Sequence, residues 1–100
     1  MAVNPTLFYR GSAATSSATL YTVPSTTTSV LTDIVISNTS TNQQYVTITV
    51  DGINLIPTVP ISANAVINFQ FKTVIATTKI IAGFATSADV KFHISGVETA

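Results

Sequence analysis

The side chains that could carry out acid–base or metal chemistry are few in this chain, and they lie far apart. The chain has one histidine, His93, and no cysteine, so a zinc ion would find neither a second imidazole nor a thiolate. No carboxylate is paired with His93 in the sequence, as a catalytic base with an orienting partner would require. The sequence therefore predicts no catalytic residue, no metal site and no cofactor. The four dispersed carboxylates are Asp33, Asp51, Asp89 and Glu98.

Most of these groups have ordinary structural explanations. Asp51 and Asp89 lie in predicted turns, where an aspartate commonly caps backbone amides. His93 lies on the polar side of an alternating strand, so we expect it to be exposed or at a contact. Asp33 lies within a mostly apolar strand, where it could face solvent, pair with a lysine or contact a neighbouring molecule. The glycines are too far apart to form a phosphate-binding loop.

The polar positions are filled mainly by threonine and serine rather than by charged residues. Only 8% of the residues are charged, against roughly 25% in an ordinary soluble domain. Moving a hydroxyl group out of water costs far less free energy than moving a charged group. The net charge is zero and there is no basic run, so the electrostatic pattern of a nucleic-acid-binding or polybasic membrane-binding protein is missing. Such a surface suits a protein that is covered by neighbours in an assembly.

The hydrophobic pattern predicts one all-β domain. Valine and isoleucine alternate with threonine and serine in short segments separated by turn signals, which is typical of a β-sandwich or small barrel. Residues 45–51 alternate most clearly and end at Asp51-Gly52, a hairpin-turn signal. Residues 29–37 have the composition of a central strand, and no convincing amphipathic helix is found. We therefore predict an antiparallel, jelly-roll-like β-sandwich of about seven to eight short strands over residues 19–100.

Three local features refine this prediction. Pro57 and Pro60 indicate that the strand starting at Ile53 is short and not central, because proline cannot donate to a sheet ladder. Gly83 inside a strand indicates a bulge or a close backbone approach. Asn38-Thr39-Ser40 matches the N-glycosylation sequon, but we expect it to be a β-turn.

Residues 1–18 differ from the rest of the chain. The apolar run Leu7-Phe8-Tyr9 is followed by Arg10-Gly11 and by the small residues 12–18. This segment fits either an arm with one apolar anchor, which could be deleted without unfolding the sandwich, or a first edge strand followed by a loop. The first residues carry neither a basic nor an apolar region of a secretory signal, so we expect synthesis in a cytoplasm.

Several segments, taken together in order, resemble small virion proteins of tailed bacteriophages. The resemblance covers residues 19–98, and its most specific part is the closing Ser95-Gly96-Val97-Glu98. It implies a β-sandwich that decorates the capsid or accompanies the tail, and it brings no catalytic residues. The segments that carry it are Leu20-Tyr21-Thr22-Val23-Pro24, residues 32–40, residues 46–52 and residues 94–98.

The leading hypothesis is a capsid decoration, or cement, protein on the outside of the virion. Its expected partners are the major capsid protein and itself, as a homotrimer that would suit threefold positions on an icosahedral shell. Nucleic acid, membrane and small-molecule substrates are not expected partners. The alternatives are a tail-, collar- or fibre-associated structural or host-glycan-binding module, and a small enzyme or non-viral binding module. The candidate contact residues are Leu7, Phe8, Tyr9, Arg10, Tyr21 and Tyr45.

Overall fold

The computed structural model describes residues 3–99. Within that range the chain forms eight strands and no helix, which confirms the predicted all-β fold. Met1, Ala2 and Ala100 lie outside the described residues. The strands are β1 (Val3–Ser12), β2 (Ala18–Thr22), β3 (Thr28–Asn38), β4 (Gln44–Val50), β5 (Ile53–Ile61), β6 (Val66–Ile75), β7 (Ile80–Ala85) and β8 (Val90–Thr99).

The strands form two antiparallel sheets of four strands each. The first sheet has the order β1-β8-β3-β6, and the second sheet has the order β2-β7-β4-β5. Strand 1 pairs with 8, 2 with 7, 3 with 6 and 4 with 5, so the chain is one long hairpin folded over on itself. This is the arrangement of a double-sheet jelly roll, and it places β3 in the interior of the first sheet, as predicted.

The tip of the folded hairpin is the turn between β4 and β5. Asp51 and Gly52 have φ values of 53° and 76°, which are the left-handed conformations that a type I′ turn requires. The predicted hairpin is confirmed. The Asp51 carboxylate does not cap a backbone amide but lies 3.7 Å from Lys79 Nζ in an exposed ion pair. Asp89 also lies at a turn, where its carbonyl oxygen, rather than its carboxylate, accepts bonds from Thr39.

The core lies between the inner faces of the two sheets. The alternation seen in the sequence determines which side chains point inward, so Val46 and Ile48 of β4 are fully buried, and so are Val90, Phe92 and Ile94 of β8. A Cβ built on Gly83 would lie 3.0 Å from the Thr47 carbonyl oxygen. The expected close backbone approach at Gly83 is therefore present. The largest buried side chains include Leu31, Ile34, Ile36, Ile81, Phe92 and Ile94.

The prediction of a short strand ending before Pro57 is wrong. β5 runs from Ile53 to Ile61 and passes through Pro57 and Pro60. It can do so because β5 is an edge strand with a partner on one side only, where a missing N–H costs no ladder bond. Its pairing with β4 is irregular around Ile48, and Thr58 adopts a φ of 45°. The expectation that this strand is not central is confirmed.

Of the two alternatives for residues 1–18, the structure has the edge strand. β1 pairs with β8 from Val3 to Ser12, and its register shifts between Leu7 and Tyr9. This bulge lets Phe8 enter the core at 5% exposure while Leu7 stays 50% exposed. The described part of the segment therefore belongs to the sandwich, and its deletion would remove a sheet strand.

The sequon lies where β3 ends at Asn38 and the chain bends at residues 40–42. Asn38 is 2% exposed, and its Nδ2 donates to the carbonyl oxygens of Asn42, Ile61 and Ser62 at 2.9, 3.1 and 3.2 Å. Its Oδ1 accepts from the Ser40 amide and hydroxyl. The side chain thus ties the β3–β4 turn to the end of β5 and is fully occupied by these bonds.

Candidate interaction surfaces

The six candidate contact residues do not form one surface. Leu7 and Tyr45 are exposed, and Arg10 is exposed as well, but Leu7 and Arg10 lie on the first sheet and Tyr45 lies on the second. Phe8 is a core residue rather than a contact residue. Tyr9 and Tyr21 are half-buried, and both hydroxyls are already hydrogen-bonded, Tyr9 to the Ser12 carbonyl and Tyr21 to Glu98.

Leu7 and Arg10 line an open groove of about 440 Å³ on the outer face of the first sheet. Asp33 of β3 and Ser95 of β8 line the same groove. Arg10 Nε donates to His93 Nδ1 at 3.2 Å, and the only ion pair within residues 3–99 is the one between Lys79 and Asp51. The Asp33 carboxylate is half-buried and accepts from the Thr32 hydroxyl at 3.3 Å.

No three histidine, cysteine, aspartate or glutamate side chains within residues 3–99 come together as metal ligands. No helix in the described part of the chain is long and apolar enough to cross a membrane.

The two sheets differ in charge. The strands of the second sheet contain no charged residue. Its outer face is made of hydroxyl and apolar side chains in adjacent rows, with Thr47 beside Phe84, Thr49 beside Ala82 and Tyr45 beside Pro60. Every charged residue that lies in a strand belongs to the first sheet: Arg10, Asp33, Lys72, Lys91 and Glu98.

A polar cluster joins the two sheets beside the β1 and β2 edges. The Tyr21 hydroxyl of β2 donates to the Glu98 carboxylate of β8, and the buried Ser29 hydroxyl of β3 donates to the same oxygen at 2.9 Å. The Phe8 ring lies 4.7 Å from the Tyr21 ring. Burial, reinforced by the hydrogen bond and the charge of Glu98, raises the pKa of Tyr21 to about 12. Tyr21 therefore connects the sheets instead of offering a free surface.

The closing Ser-Gly-Val-Glu segment has a packing explanation. A Cβ on Gly96 would overlap the carbonyl oxygen of Val30 and lie 2.8 Å from Phe8 Cε2. Only glycine leaves room there for the Phe8 ring and the neighbouring strand. Sequence reasoning missed the roles of Gly96 and Glu98, although the alternation from Ile94 onward places both on the inner face.

No protein-family model, curated protein or solved structure matches this chain. Its function is therefore inferred from its own residues and geometry.

Proposed function

We propose that this chain is a structural protein of a tailed-bacteriophage particle, a decoration protein that binds the outside of the capsid and joins neighbouring capsid subunits. Its partners are the major capsid protein and other copies of itself. The observation that supports this proposal most is the second sheet, whose strands contain no charged residue.

An uncharged face is suited to lasting contact. Moving an ionised side chain out of water costs several kcal/mol unless an oppositely charged group pairs with it. Moving a threonine hydroxyl out of water costs much less, and the hydroxyl can form a hydrogen bond across the contact. When a capsid covers the part of the outer face formed by Thr47, Thr49 and Tyr45, no charged side chain has to lose its bound water. The contact of one copy can be weak, because many copies on a lattice bind together.

The fold and the sequence add to this proposal. Double-sheet jelly rolls occur in viral capsid proteins, which is support by analogy because a fold does not determine a function. The segments that resemble small virion proteins include Ser95-Gly96-Val97-Glu98, in which Gly96 leaves room for the Phe8 ring. In this orientation the second sheet faces the shell, and the first sheet, with Arg10 and Lys91, faces solvent.

The decisive experiment compares phage particles made with and without this chain. Quantitative mass spectrometry and cryo-electron microscopy should find many copies spread over the capsid surface. Shells lacking the chain should release their DNA at a lower temperature. A chain that is absent from particles, or confined to the tail, contradicts the decoration role.

A pair of matched variants tests which face binds. Thr22→Lys places a charge on the outer face of the second sheet, and Thr28→Lys places the same charge on the first sheet; both threonines are exposed. We expect Thr22→Lys to weaken binding to undecorated shells and Thr28→Lys to leave it unchanged. Equal binding by both variants would show that the second sheet is not the contact face.

The groove on the first sheet favours a second candidate, a tail-, collar- or fibre-associated module that binds a host glycan. Arg10, Asp33 and Ser95 supply charged and hydroxyl groups for sugar hydroxyls, and Leu7 supplies an apolar flank. Tyr21, one of the candidate contact residues, does not support this function, because its hydroxyl is bound to Glu98. Location at the tail in the same micrographs, and loss of glycan-array binding on Asp33→Asn, would favour this function over decoration.

A further inference from the structure

The sandwich has four free strand edges, and they are protected to different degrees. An edge strand presents unpaired N–H and C=O groups that can pair with another chain, and prolines, charges and short length suppress such pairing. β1 contains Pro5, β5 contains Pro57 and Pro60, and β2 has only five residues. β6 has ten residues, no proline or glycine and one charged residue, Lys72. It is the least protected of the four edges.

β6 also carries uncovered apolar surface. Val66 and Val74, near its two ends, are 64% and 67% exposed. In the middle of the strand, Phe69 and Phe71 point toward the core but remain partly exposed, with stacked rings 6.1 Å apart. Apolar side chains at both ends and in the middle are what a strand partner along this edge would bury.

The sequence of β6 is symmetric in residue type about Gln70. A phenylalanine lies on either side of Gln70, then a polar residue, then a β-branched residue, then a valine. An antiparallel pair of two such strands matches each residue with one of its own type, because a twofold axis places residue i against j and j against i. The symmetry thus favours a second copy of this chain over an unrelated partner. The order is Val66-Ile67-Asn68-Phe69, Gln70, Phe71-Lys72-Thr73-Val74.

We infer that β6 of one copy pairs antiparallel with β6 of a second copy across a twofold axis at Gln70. Val66 then faces Val74 of the partner subunit, and Phe69 faces Phe71 of the partner subunit. Lys72 faces Asn68 of the partner subunit, so no like charges are opposed. The two first sheets join into one sheet of twice the width. This pairing does not rest on the proposed phage function.

The side chains of β6 alternate without a break between exposed and inward-facing positions from Val66 to Val74, so the residues matched by the twofold axis point to the same face. Val66 to Gln70 pair with β3 in regular register, and the one irregularity lies beyond Gln70, opposite the segment from Leu31 to Asp33. Nine residues at about 3.4 Å each give a contact about 30 Å long. The other side of β6 already binds β3, so the strand is held extended before the partner arrives.

The oligomeric state of the full chain is the first test. Native mass spectrometry and sedimentation should give a dimer that dissociates on dilution without unfolding. A monomer at high protein concentration overturns the pairing. The trimer expected for a threefold capsid position overturns it as well, because a twofold contact closes at two copies.

A charge-pairing test checks the register. The double variant Val66→Lys with Val74→Lys places lysines opposite lysines in the dimer, and we expect it to raise the dimer Kd about tenfold. Val66→Lys with Val74→Glu places lysine opposite glutamate, and its Kd should stay near that of the natural chain. Within one copy the two positions are about 27 Å apart, beyond the screening length at physiological salt, so the difference must come from the partner.

Two controls keep the register test decisive. Both valines are exposed, so circular dichroism and thermal melting should show folded variants. Ile53→Lys removes an equally exposed apolar side chain from β5 and should leave the dimer unchanged. If the lysine–glutamate variant dimerises no better than the lysine–lysine variant, the proposed register is wrong.

Discussion

The two sheets share one inner pattern and differ on the outside. Both bury alternating valine and isoleucine side chains, but only the strands of the first sheet carry charged side chains, among them Arg10, Asp33 and Lys91. Because the first sheet folds with these charges on its outer face, folding does not require the second sheet to lack them. The proposed contact of that face with a capsid would account for the neutrality of the second sheet.

The two lateral sides of the sandwich also differ. On the β1/β2 side, Phe8, Tyr21 and Glu98 connect the sheets. On the β5/β6 side, Phe69 and Phe71 remain partly exposed. One side is thus closed by the chain itself, and the other is the side where we propose that a second copy binds. The predictions below test this contrast.

Deleting residues 1–12 should have the largest effect. It removes β1, the only partner of β8 on that side, and takes Phe8 out of the core. Removing a buried phenylalanine side chain alone costs about 3–5 kcal/mol, so we expect no cooperative thermal transition by circular dichroism. A truncated chain that melts cooperatively would show that the closed side does not depend on β1.

Gly96→Ala should destabilise the closed side by about 3 kcal/mol, because the added methyl group meets Val30 and Phe8. Urea unfolding measures this change in the free energy of unfolding. Gly52→Ala is the matched control: its new methyl group meets nothing, and only the positive φ opposes it, at a cost of about 1 kcal/mol. If both variants lose the same free energy of unfolding, the close packing at Gly96 does not contribute to stability.

Tyr21→Phe should cost about 1 kcal/mol at neutral pH, the usual net value of one hydrogen bond, and should change the alkaline pH dependence. The pKa of Tyr21 is raised from 10.0 to about 12, so the folded state holds this proton more tightly than the unfolded state. The contribution of the protonated Tyr21 hydroxyl to the free energy of unfolding is full below pH 10 and is lost as the pH rises toward 12. Urea unfolding between pH 9 and pH 12 should show a steeper fall for the natural chain than for Tyr21→Phe. Tyr45→Phe, at an exposed tyrosine, is the matched control at neutral pH and should leave the free energy of unfolding nearly unchanged.

Charges on the outer face of the second sheet should have the smallest effect on stability. Thr22→Lys and Asn54→Lys lie at exposed positions, where substitutions usually change the free energy of unfolding by less than about 0.5 kcal/mol. Thermal melts of the purified variants check this. A large loss of stability would mean that folding itself requires a neutral second sheet, which would remove the main support for the decoration role.

The sequence predicted the parts of the fold that depend on neighbouring residues. The alternation in residues 45–51, the Asp51-Gly52 turn and the apolar composition of β3 are local signals, and each has the predicted structure. The choice between an arm and an edge strand for residues 1–18 stayed open because it depends on β8, far along the chain.

The features that the sequence did not predict depend on tertiary position. Pro57 and Pro60 indicated that β5 is not central, but they did not predict that an edge position lets the strand continue through both prolines to Ile61. Phe8 enters the core through a bulge at a tripeptide that looked suited to an exposed anchor. Glu98 is bound by Tyr21 and Ser29, which precede it by 77 and 69 residues.

The nested pairing of the strands has a consequence for how the chain folds during synthesis. Among the described strands, β1 pairs only with β8, so during synthesis β1 must wait for β8 before it has a neighbour. Pairings between distant segments form slowly, and an unpaired early strand is open to aggregation meanwhile. Until Val90 and the residues after it emerge, the nascent polypeptide exposes the unpaired N–H and C=O groups of β1, and chaperones would have to cover them.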